Sequence, residues 1–126
     1  MIAADTSTWI AYFQGDRGQD VDVLDHALEN RQVLMAPPVL TELLSDPKIP
    51  SDLSNALSEV PLLEIQPGYW SRAGALRAKV LARGRKARLG DSLIAQSCLD
   101  AGLPLLTRDR DFRAFLEAAS LRSLLV

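Results

Sequence analysis

The sequence predicts an α/β fold with a central parallel sheet flanked by helices. Short apolar runs alternate along the chain with longer segments whose apolar residues recur at helical spacing, as in successive βαβ units. The 126 residues, 48% of them hydrophobic, suffice for one domain with a substantial core and are too few for two. No repeat, low-complexity tract or linker divides the chain. Residues 1–126 are therefore expected to form a single domain.

Boundary signals define the elements of the first half of the chain. A short apolar run precedes Asp5 and Thr6, either of which can cap a helix. A second run ends at Pro37, because proline cannot donate to a sheet, and Pro38 suits the first turn of the helix that follows. In order, these signals and the apolar periodicity predict a strand over 2–5, helices over 6–14 and 20–30, a strand over 32–36, and helices over 39–45 and 51–59.

Glycines and capping residues define the second half. A long amphipathic helix is weakened by Gly74 and ends near Gly84, and Asp91 is placed at the start of the next helix, which Gly102 closes. In order, the signals predict a strand over 62–65, helices over 69–83 and 91–101, a strand over 104–107, a helix over 111–119 and a final strand over 122–126.

Carboxylates recur where a sheet of this kind would gather its strand ends. Asp5 follows the first predicted strand, and Asp109 follows the strand over 104–107. Sites in open α/β sheets form outside the carboxyl ends of the strands, where Glu42 and Asp91 could join them, with Asp111 as a candidate fifth acid. Packed acids repel one another unless a cation compensates them, and hard oxygen ligands suit Mg²⁺ or Mn²⁺. The pattern indicates a divalent-metal site if the acids converge.

Each acid also has a structural explanation when it is taken alone. Asp5, Asp91 and Asp109 each precede a predicted helix, and aspartate is a common N-cap residue. Glu42 lies in an otherwise apolar helical segment, where an unpaired carboxylate would cost several kcal/mol. We therefore expect Glu42 to have a cationic partner, either a metal ion or a buried arginine.

The net charge of −2 and the pI of about 5.3 argue against a general nucleic-acid-binding protein. The distribution of charge qualifies that conclusion, because no carboxylate falls between Glu64 and Asp91 while seven cations do. This basic stretch could contact a polyanion beside a metal site, or it could be a solvated helix face. Its members are Arg72, Arg77, Lys79, Arg83, Arg85, Lys86 and Arg88.

Other chemistries find little support. Cys98 is the only cysteine, so it cannot form an internal disulfide, and its apolar neighbours predict a core position. His26 has no second histidine or cysteine nearby and is expected at the surface. The N-terminus lacks the features of a signal peptide, and no apolar run is long enough to span a bilayer. The chain is expected to be cytoplasmic.

Taken together, the acidic segments are more specific than any one of them. They resemble, in order and spacing, the successive acidic motifs of PIN-domain nucleases. The size of the chain resembles the VapC-type toxins of toxin–antitoxin pairs, and the resemblance extends from Ile2 to about Val126. The segments are Asp5 to Ser7, Pro38 to Leu43, Gly90 to Ala95, and Leu106 to Phe112.

The resemblance implies a Rossmann-like three-layer fold and a Mg²⁺- or Mn²⁺-dependent endoribonuclease. It implies that Asp5 and Asp91 are the most direct metal ligands, that Asp109 shares a metal, and that Glu42 acts through water or a second ion. The remaining implied roles are an additional acid at Asp111 and a hydroxyl at Ser7 or Thr107 that orients a carboxylate or a water. The basic stretch itself predicts contacts to the RNA backbone from Arg85, Lys86 and Arg88, because these residues lie in the segment that leads to Asp91.

The same resemblance implies a small antitoxin, encoded beside the chain, as a partner, and a homodimer as the assembly. Three alternatives remain open. One is an RNA-processing or DNA-directed nuclease of the same family, and another is a related module that binds nucleic acid or a partner without cutting. The third is a phosphoacceptor receiver domain, which would need an acidic pair after the first strand and a lysine after a late strand. Here Asp5 stands alone, and Thr107-Arg108 follows the late strand.

Overall fold

Helices and short strands alternate in the structure, a computed structural model that describes residues 1–119 and 121. The order predicted from the sequence is reproduced over these residues, and the predicted strand over 122–126 lies outside them. The elements are β1 (Ala3–Ala4), α1 (Thr6–Phe13), α2 (Gln19–Glu29), α3 (Pro37–Leu44), α4 (Ser51–Ser58), α5 (Tyr69–Ala82), α6 (Leu89–Ala101), β2 (Leu105–Leu106), a 3₁₀ turn (Arg110–Phe112) and α7 (Arg113–Ala118).

The sheet is parallel and follows the Rossmann strand order. β1 pairs with β2, with Ala3 opposite Leu105. Isolated parallel bridges join Ile2 to Val33 and Met35 to Leu62. Numbered along the chain, the four extended segments therefore lie side by side in the order 3-2-1-4. The order reverses beside β1, so the crevice at the carboxyl ends of β1 and β2 is the expected place for a site.

Two of the predicted strands are shorter than the sequence suggests. The segments over 32–36 and 62–65 contribute only the bridges at Val33, Met35 and Leu62. The first is cut short because α3 begins at Pro37 immediately after it. Backbone pairing nevertheless continues across the bridge, since the Met35 amide donates to Pro61 and the Leu63 amide donates to Met35, both at 2.9 Å.

Large apolar side chains from helices and strands fill the core between the layers. Fully buried examples come from α1, α2, α3, α5 and α6 as well as from the sheet. Cys98 is among the buried residues, as predicted, and His26 lies at the surface. None of the helices in the described part of the chain is both long and apolar enough to cross a bilayer.

The start of α6 differs from the prediction in a way that matters for the site. The helix begins at Leu89, and the extended residue before it, Arg88, occupies the N-cap position. The Arg88 carbonyl accepts hydrogen bonds from the backbone amide and the hydroxyl of Ser92. The prediction that Asp91 caps α6 is therefore wrong. Asp91 lies inside the first turn, and α6 ends as predicted at Gly102, in the left-handed conformation with φ of 65°.

Candidate active site

Asp5 is held rigidly at the carboxyl end of β1. Its side chain is the N-cap of α1 and accepts a bond from the Thr8 amide at 3.1 Å. The Ser7 hydroxyl lies 2.8 Å from both carboxylate oxygens, and the Thr107 hydroxyl donates at 2.7 Å from the end of β2. Asp5 is only 2% exposed, and this burial raises its pKa, although the bonds from Thr107, Ser7 and Thr8 offset part of the rise. The capping role of Asp5 is therefore confirmed, and it leaves the carboxylate at the end of β1.

The hydroxyl of Thr107 joins Asp5 to the acids that follow β2. While it donates to Asp5, its oxygen accepts the backbone amide of Asp109 at 3.0 Å. The Asp109 carboxylate in turn accepts the amide of Asp111 at 2.9 Å and so caps the 3₁₀ turn. A continuous set of hydrogen bonds thus fixes the loop after β2 relative to the end of β1.

Asp91 and Glu42 approach the crevice from two packed helices. Asp91 is in the first turn of α6, and α3 packs against α6 through the segment that carries Glu42. A Cβ atom on Gly90 would lie 3.3 Å from a Glu42 carboxylate oxygen, so the glycine lets that carboxylate reach the beginning of α6. Glu42 is exposed and forms no ion pair with a described residue. The expectation that Glu42 is surrounded by apolar groups is wrong, and of the two cationic partners considered, a buried arginine is not found among the described residues.

The raised pKa of Asp91 indicates that these acids lie near one another. Burial, followed by the charges of Asp109, Glu42 and Asp5, raises the pKa of Asp91 to about 6, and Arg88 opposes the rise. One carboxylate therefore responds to three others that come from different elements of the chain. The structure brings together the four acids that the sequence analysis singled out.

The donor set fits a divalent cation, although it is not a finished cage. No three His, Cys, Asp or Glu side chains of residues 1–119 and 121 are grouped closely enough to surround a metal ion. Mg²⁺ does not need such a cage, because it usually keeps several waters and takes only one or two carboxylates directly. The carboxylate oxygens are hard donors, and burial together with the neighbouring acids makes ionised Asp91 unfavourable without a compensating cation.

An ion pair between buried Asp20 and partly exposed Arg108 was not predicted. Arg108 donates to both carboxylate oxygens of Asp20, at 2.7 and 2.8 Å, and Asp20 also accepts the Thr8 hydroxyl at 3.0 Å. Because Arg108 lies between Thr107 and Asp109, the pair ties the loop after β2 to the first turn of α2. The residues are 88 positions apart, and only their charges in the sequence could have suggested that they meet.

More residues of the basic stretch form hydrogen bonds and ion pairs within the protein than the sequence suggested. Arg85 pairs with Glu117 at 2.9 Å, and Lys86 lies 3.4 Å from Asp111. Arg88 is exposed at the start of α6 and has no ion-pair partner in the part of the chain that the structure describes. Upstream members support the fold: Arg72 binds Asp100, Arg77 donates to the Ala87 carbonyl, and Arg83 donates to the Glu117 carbonyl.

Comparison with known proteins places this geometry in a family. A family model described as the PIN domain matches residues 2–116. A VapC ribonuclease from Mycobacterium bovis and ribonuclease VapC11 from Mycobacterium tuberculosis are each 28% identical to the chain over 134 residues, covering 97% of this chain and all of theirs.

Two solved structures have the same fold. A member of the VapBC family of toxin–antitoxin systems from Mycobacterium tuberculosis, VapBC-5, has a TM-score of 0.70 at 23% identity, over 99% of this chain and 98% of that one. FitAcB from Neisseria gonorrhoeae has a TM-score of 0.70 at 18% identity, over 98% and 96%. At these identities the structural likeness supports the fold alone.

Proposed function

The chain belongs to the PIN domain family, and from the site it builds we propose that it is a metal-dependent endoribonuclease that serves as the toxin of a toxin–antitoxin pair. The observation that carries the proposal is the convergence of four carboxylates at the sheet crevice, where burial together with the charges of three of them raises the pKa of the fourth, Asp91, to about 6. The ribonuclease names of relatives aligned over 97% of the chain support the choice of RNA as substrate.

Each acid has a role that follows from its position. Asp5 and Asp91 hold the cation and Asp109 shares it. Glu42, which is exposed on α3 and whose carboxylate lies beside Gly90 of α6, acts through water or a second ion. Ser7 and Thr107 keep the Asp5 carboxylate in one orientation. A bound Mg²⁺ or Mn²⁺ ion supplies Lewis acidity toward the phosphodiester and lowers the pKa of water.

The cations after α5 are proposed to hold the RNA backbone. Arg88 is best placed, because its charge already acts on Asp91. Arg85 and Lys86 are both exposed in the same loop, and their ion pairs with Glu117 and Asp111 would be exchanged for phosphate contacts. Exchange is feasible since exposed ion pairs contribute little net free energy.

The salt dependence of RNA binding tests this assignment. Each lost phosphate contact should reduce the slope of log affinity against log salt concentration by roughly 0.7 for a single strand. Replacing Arg85, Lys86 and Arg88 by alanine should weaken binding and flatten that slope. An unchanged affinity at low salt would leave these residues as a solvated surface.

The partner and assembly follow from the relatives by analogy. The structural neighbour VapBC-5 is a member of a toxin–antitoxin family, and an antitoxin encoded beside this chain is proposed as its inhibitor. A homodimer and a cytoplasmic location, where RNA targets are available, complete the proposal.

Cleavage by purified protein tests the function. With Mg²⁺ or Mn²⁺ the wild type should cut single-stranded or loop RNA, and EDTA should stop the reaction. Asp91→Asn should lower the rate by more than about 100-fold, since even the outer partners of metal ligands cost about 10- to 100-fold. Asp22→Asn is the matched control, because Asp22 also lies in the first turn of a helix but is exposed on α2.

The other outcomes separate the alternatives. Metal-dependent cutting of DNA alone would indicate a DNA-directed nuclease. RNA binding without cleavage in any divalent ion would indicate a module that does not cut. Equal cleavage by the wild type and the Asp91→Asn protein would contradict the site.

A further inference from the structure

Three consecutive hydroxyl side chains follow Asp5 at the start of α1, and two of them have partners. The Ser7 hydroxyl donates to Asp5, and the Thr8 hydroxyl donates to Asp20 of α2 at 3.0 Å. The Thr6 hydroxyl oxygen is buried, yet it has no hydrogen-bond partner among the described residues. An unpaired buried hydroxyl is unfavourable because it has given up its hydrogen bonds to water, so this atom needs an explanation.

The indole N–H of Trp9 is a second buried polar group without a partner in the part of the chain that the structure describes. Trp9 is only 2% exposed. Residues three positions apart lie on the same face of a helix, with their Cβ atoms about 5–6 Å apart, so Thr6 and Trp9 are neighbours on α1. A hydroxyl and an N–H at such a separation can share one water, and a buried water requires at least two polar partners.

The face of α1 that carries these two groups is turned toward α3, the helix of Glu42. Thr8 points to α2, and Thr6 lies about 160° away from Thr8 around the helix axis. α1 packs against α3, and Ile10, one turn after Thr6, lines a groove of about 390 Å³ together with Glu42 and Leu43. The two unpaired groups therefore lie on the side of α1 from which Glu42 approaches the crevice.

The carboxylate of Glu42 needs such a contact more than the acids at the strand ends do. Asp5 and Asp109 accept hydrogen bonds from neighbouring side chains or amides. Glu42 is exposed, and no described residue donates a hydrogen bond or an ion pair to it. A carboxylate only accepts hydrogen bonds, whereas a water can accept from two donors and donate to a third group.

We propose that Thr6 is a positioning residue: its hydroxyl and the indole N–H of Trp9 donate to one water, and that water donates to the Glu42 carboxylate and orients it. The inference rests on the proposed function and deepens it, because it names the groups that direct Glu42 toward the site. Thr6 acts through Glu42 and touches neither the cation nor the RNA.

Thermal unfolding of the metal-free protein tests whether the water is held. Thr6→Val removes the hydroxyl and keeps the shape of the side chain, so loss of the water should leave the Trp9 N–H unpaired and lower the Tm. A hydroxyl that faces only apolar side chains would give the opposite result, because its removal would raise the Tm. Thr41→Val is the matched control, since the Thr41 hydroxyl is exposed on α3 and the change should have less effect.

Tryptophan emission reports on the water directly. Trp70→Phe removes the only other tryptophan, which is 66% exposed, and leaves Trp9 as the sole emitter. A hydrogen bond to the indole N–H lowers the energy of the excited state. In this background Thr6→Val should therefore shift the emission of Trp9 to shorter wavelength, whereas Thr6→Ser, which keeps the hydroxyl, should not. Unchanged emission in Thr6→Val would overturn the shared water.

A double-mutant cycle tests whether the water serves Glu42. Glu42→Ala removes the acceptor, so the effects of Thr6→Val and Glu42→Ala on the Tm should not add. In RNA cleavage, Thr6→Val should lower kcat by about 10- to 100-fold, the range for outer partners of metal ligands, with little change in KM. Thr6→Ser should restore most of kcat. In the Glu42→Ala protein, Thr6→Val should have little further effect.

The outcomes separate this inference from the proposed function. Metal-dependent cleavage of RNA with an unchanged kcat in Thr6→Val would overturn the positioning role alone. A loss of kcat that is equal with and without the Glu42 carboxylate would also overturn it, because Thr6 would then act through another group. A wild type that cuts no RNA would overturn the nuclease. In that case the Tm cycle still decides the inference, which additive effects of Thr6→Val and Glu42→Ala would overturn.

Discussion

The two halves of the acidic site are built differently. Asp5 and Asp109 belong to a hydrogen-bonded unit at the ends of β1 and β2, in which Thr107 binds both residues. Asp91 and Glu42 project from helices. Glu42 is exposed, and burial together with the neighbouring acids disfavours the ionised form of Asp91. The comparison teaches that the chain organises one half by itself and leaves the other half with negative charge that the proposed cation would compensate.

The effect of metal ions on thermal stability is the strongest test of this difference between the two halves. A ligand that binds only the folded state stabilises it by about 2.7 kcal/mol at a hundredfold excess over Kd. Millimolar Mg²⁺ or Mn²⁺ should therefore raise the Tm of the wild type, and the rise should be much smaller in Asp5→Asn and in Asp91→Asn. The measurement is thermal unfolding with and without the ion.

The same variants should differ before any metal is added. Asp5→Asn weakens the hydrogen bonds that Asp5 accepts and should lower the Tm, whereas Asp91→Asn removes a repelled charge and should not. An identical metal response in the wild type and both variants would show that the ions bind elsewhere. An identical Tm of the two metal-free variants would show that the halves are not built differently.

The Asp20–Arg108 pair offers a second test, because it holds the organised half from behind. Asp20→Asn weakens a buried carboxylate's bonds to Arg108 and Thr8 and should reduce the free energy of unfolding by about 2 kcal/mol, the usual scale for hydrogen bonds to charged groups. It should also reduce the metal-induced rise in Tm, because the loop that presents Asp109 is less fixed.

The control is another two-bond ion pair. Arg72 donates to both carboxylate oxygens of Asp100, but this pair is somewhat more exposed than the Asp20–Arg108 pair, and it joins α5 to α6 away from Thr107 and Asp109. Asp100→Asn should cost less stability and leave the metal response intact. A metal response that is equally reduced in both variants would show that general loss of stability, rather than positioning of the loop, is responsible.

The positions of Asp5 and Asp109 could be predicted from the sequence better than those of Asp91 and Glu42. Asp5 and Asp109 follow strands and precede helical turns, so local capping and strand order were enough to place them. Asp91 was misplaced as a cap, because the extended backbone of Arg88 and the early start of α6 have no clear local signal. Glu42 was expected to be buried, since its neighbours are apolar, but helix packing turns its side chain outward. Packing between elements that are distant in the sequence determines which way such side chains point, and the spacing of apolar residues does not predict that packing.

The titration of Asp91 has the smallest expected effect on stability, and it tests the half of the site formed by Asp91 and Glu42 most directly. Its pKa is about 6 in the folded chain against an ordinary 3.8. Between these values the folded state keeps a proton that the unfolded state has lost, so this residue makes stability fall as pH rises from about 4 to about 6. Above pH 6 the full penalty remains, about 1–2 kcal/mol after allowance for the partial exposure of the group.

Comparing two proteins isolates the effect of Asp91 from the pH dependence that other acids give to stability. Asp20, for example, has a pKa that Arg108 lowers, so it makes stability rise with pH. Urea unfolding of the metal-free wild type and of Asp91→Asn across pH 4 to 7 should give curves that diverge as pH rises, with the variant becoming the more stable. Saturating Mg²⁺ should reverse the divergence, because the ion favours the ionised carboxylate that only the wild type has. Parallel curves in metal-free buffer would mean that Asp91 does not feel its neighbours, and the two halves would then not form one site.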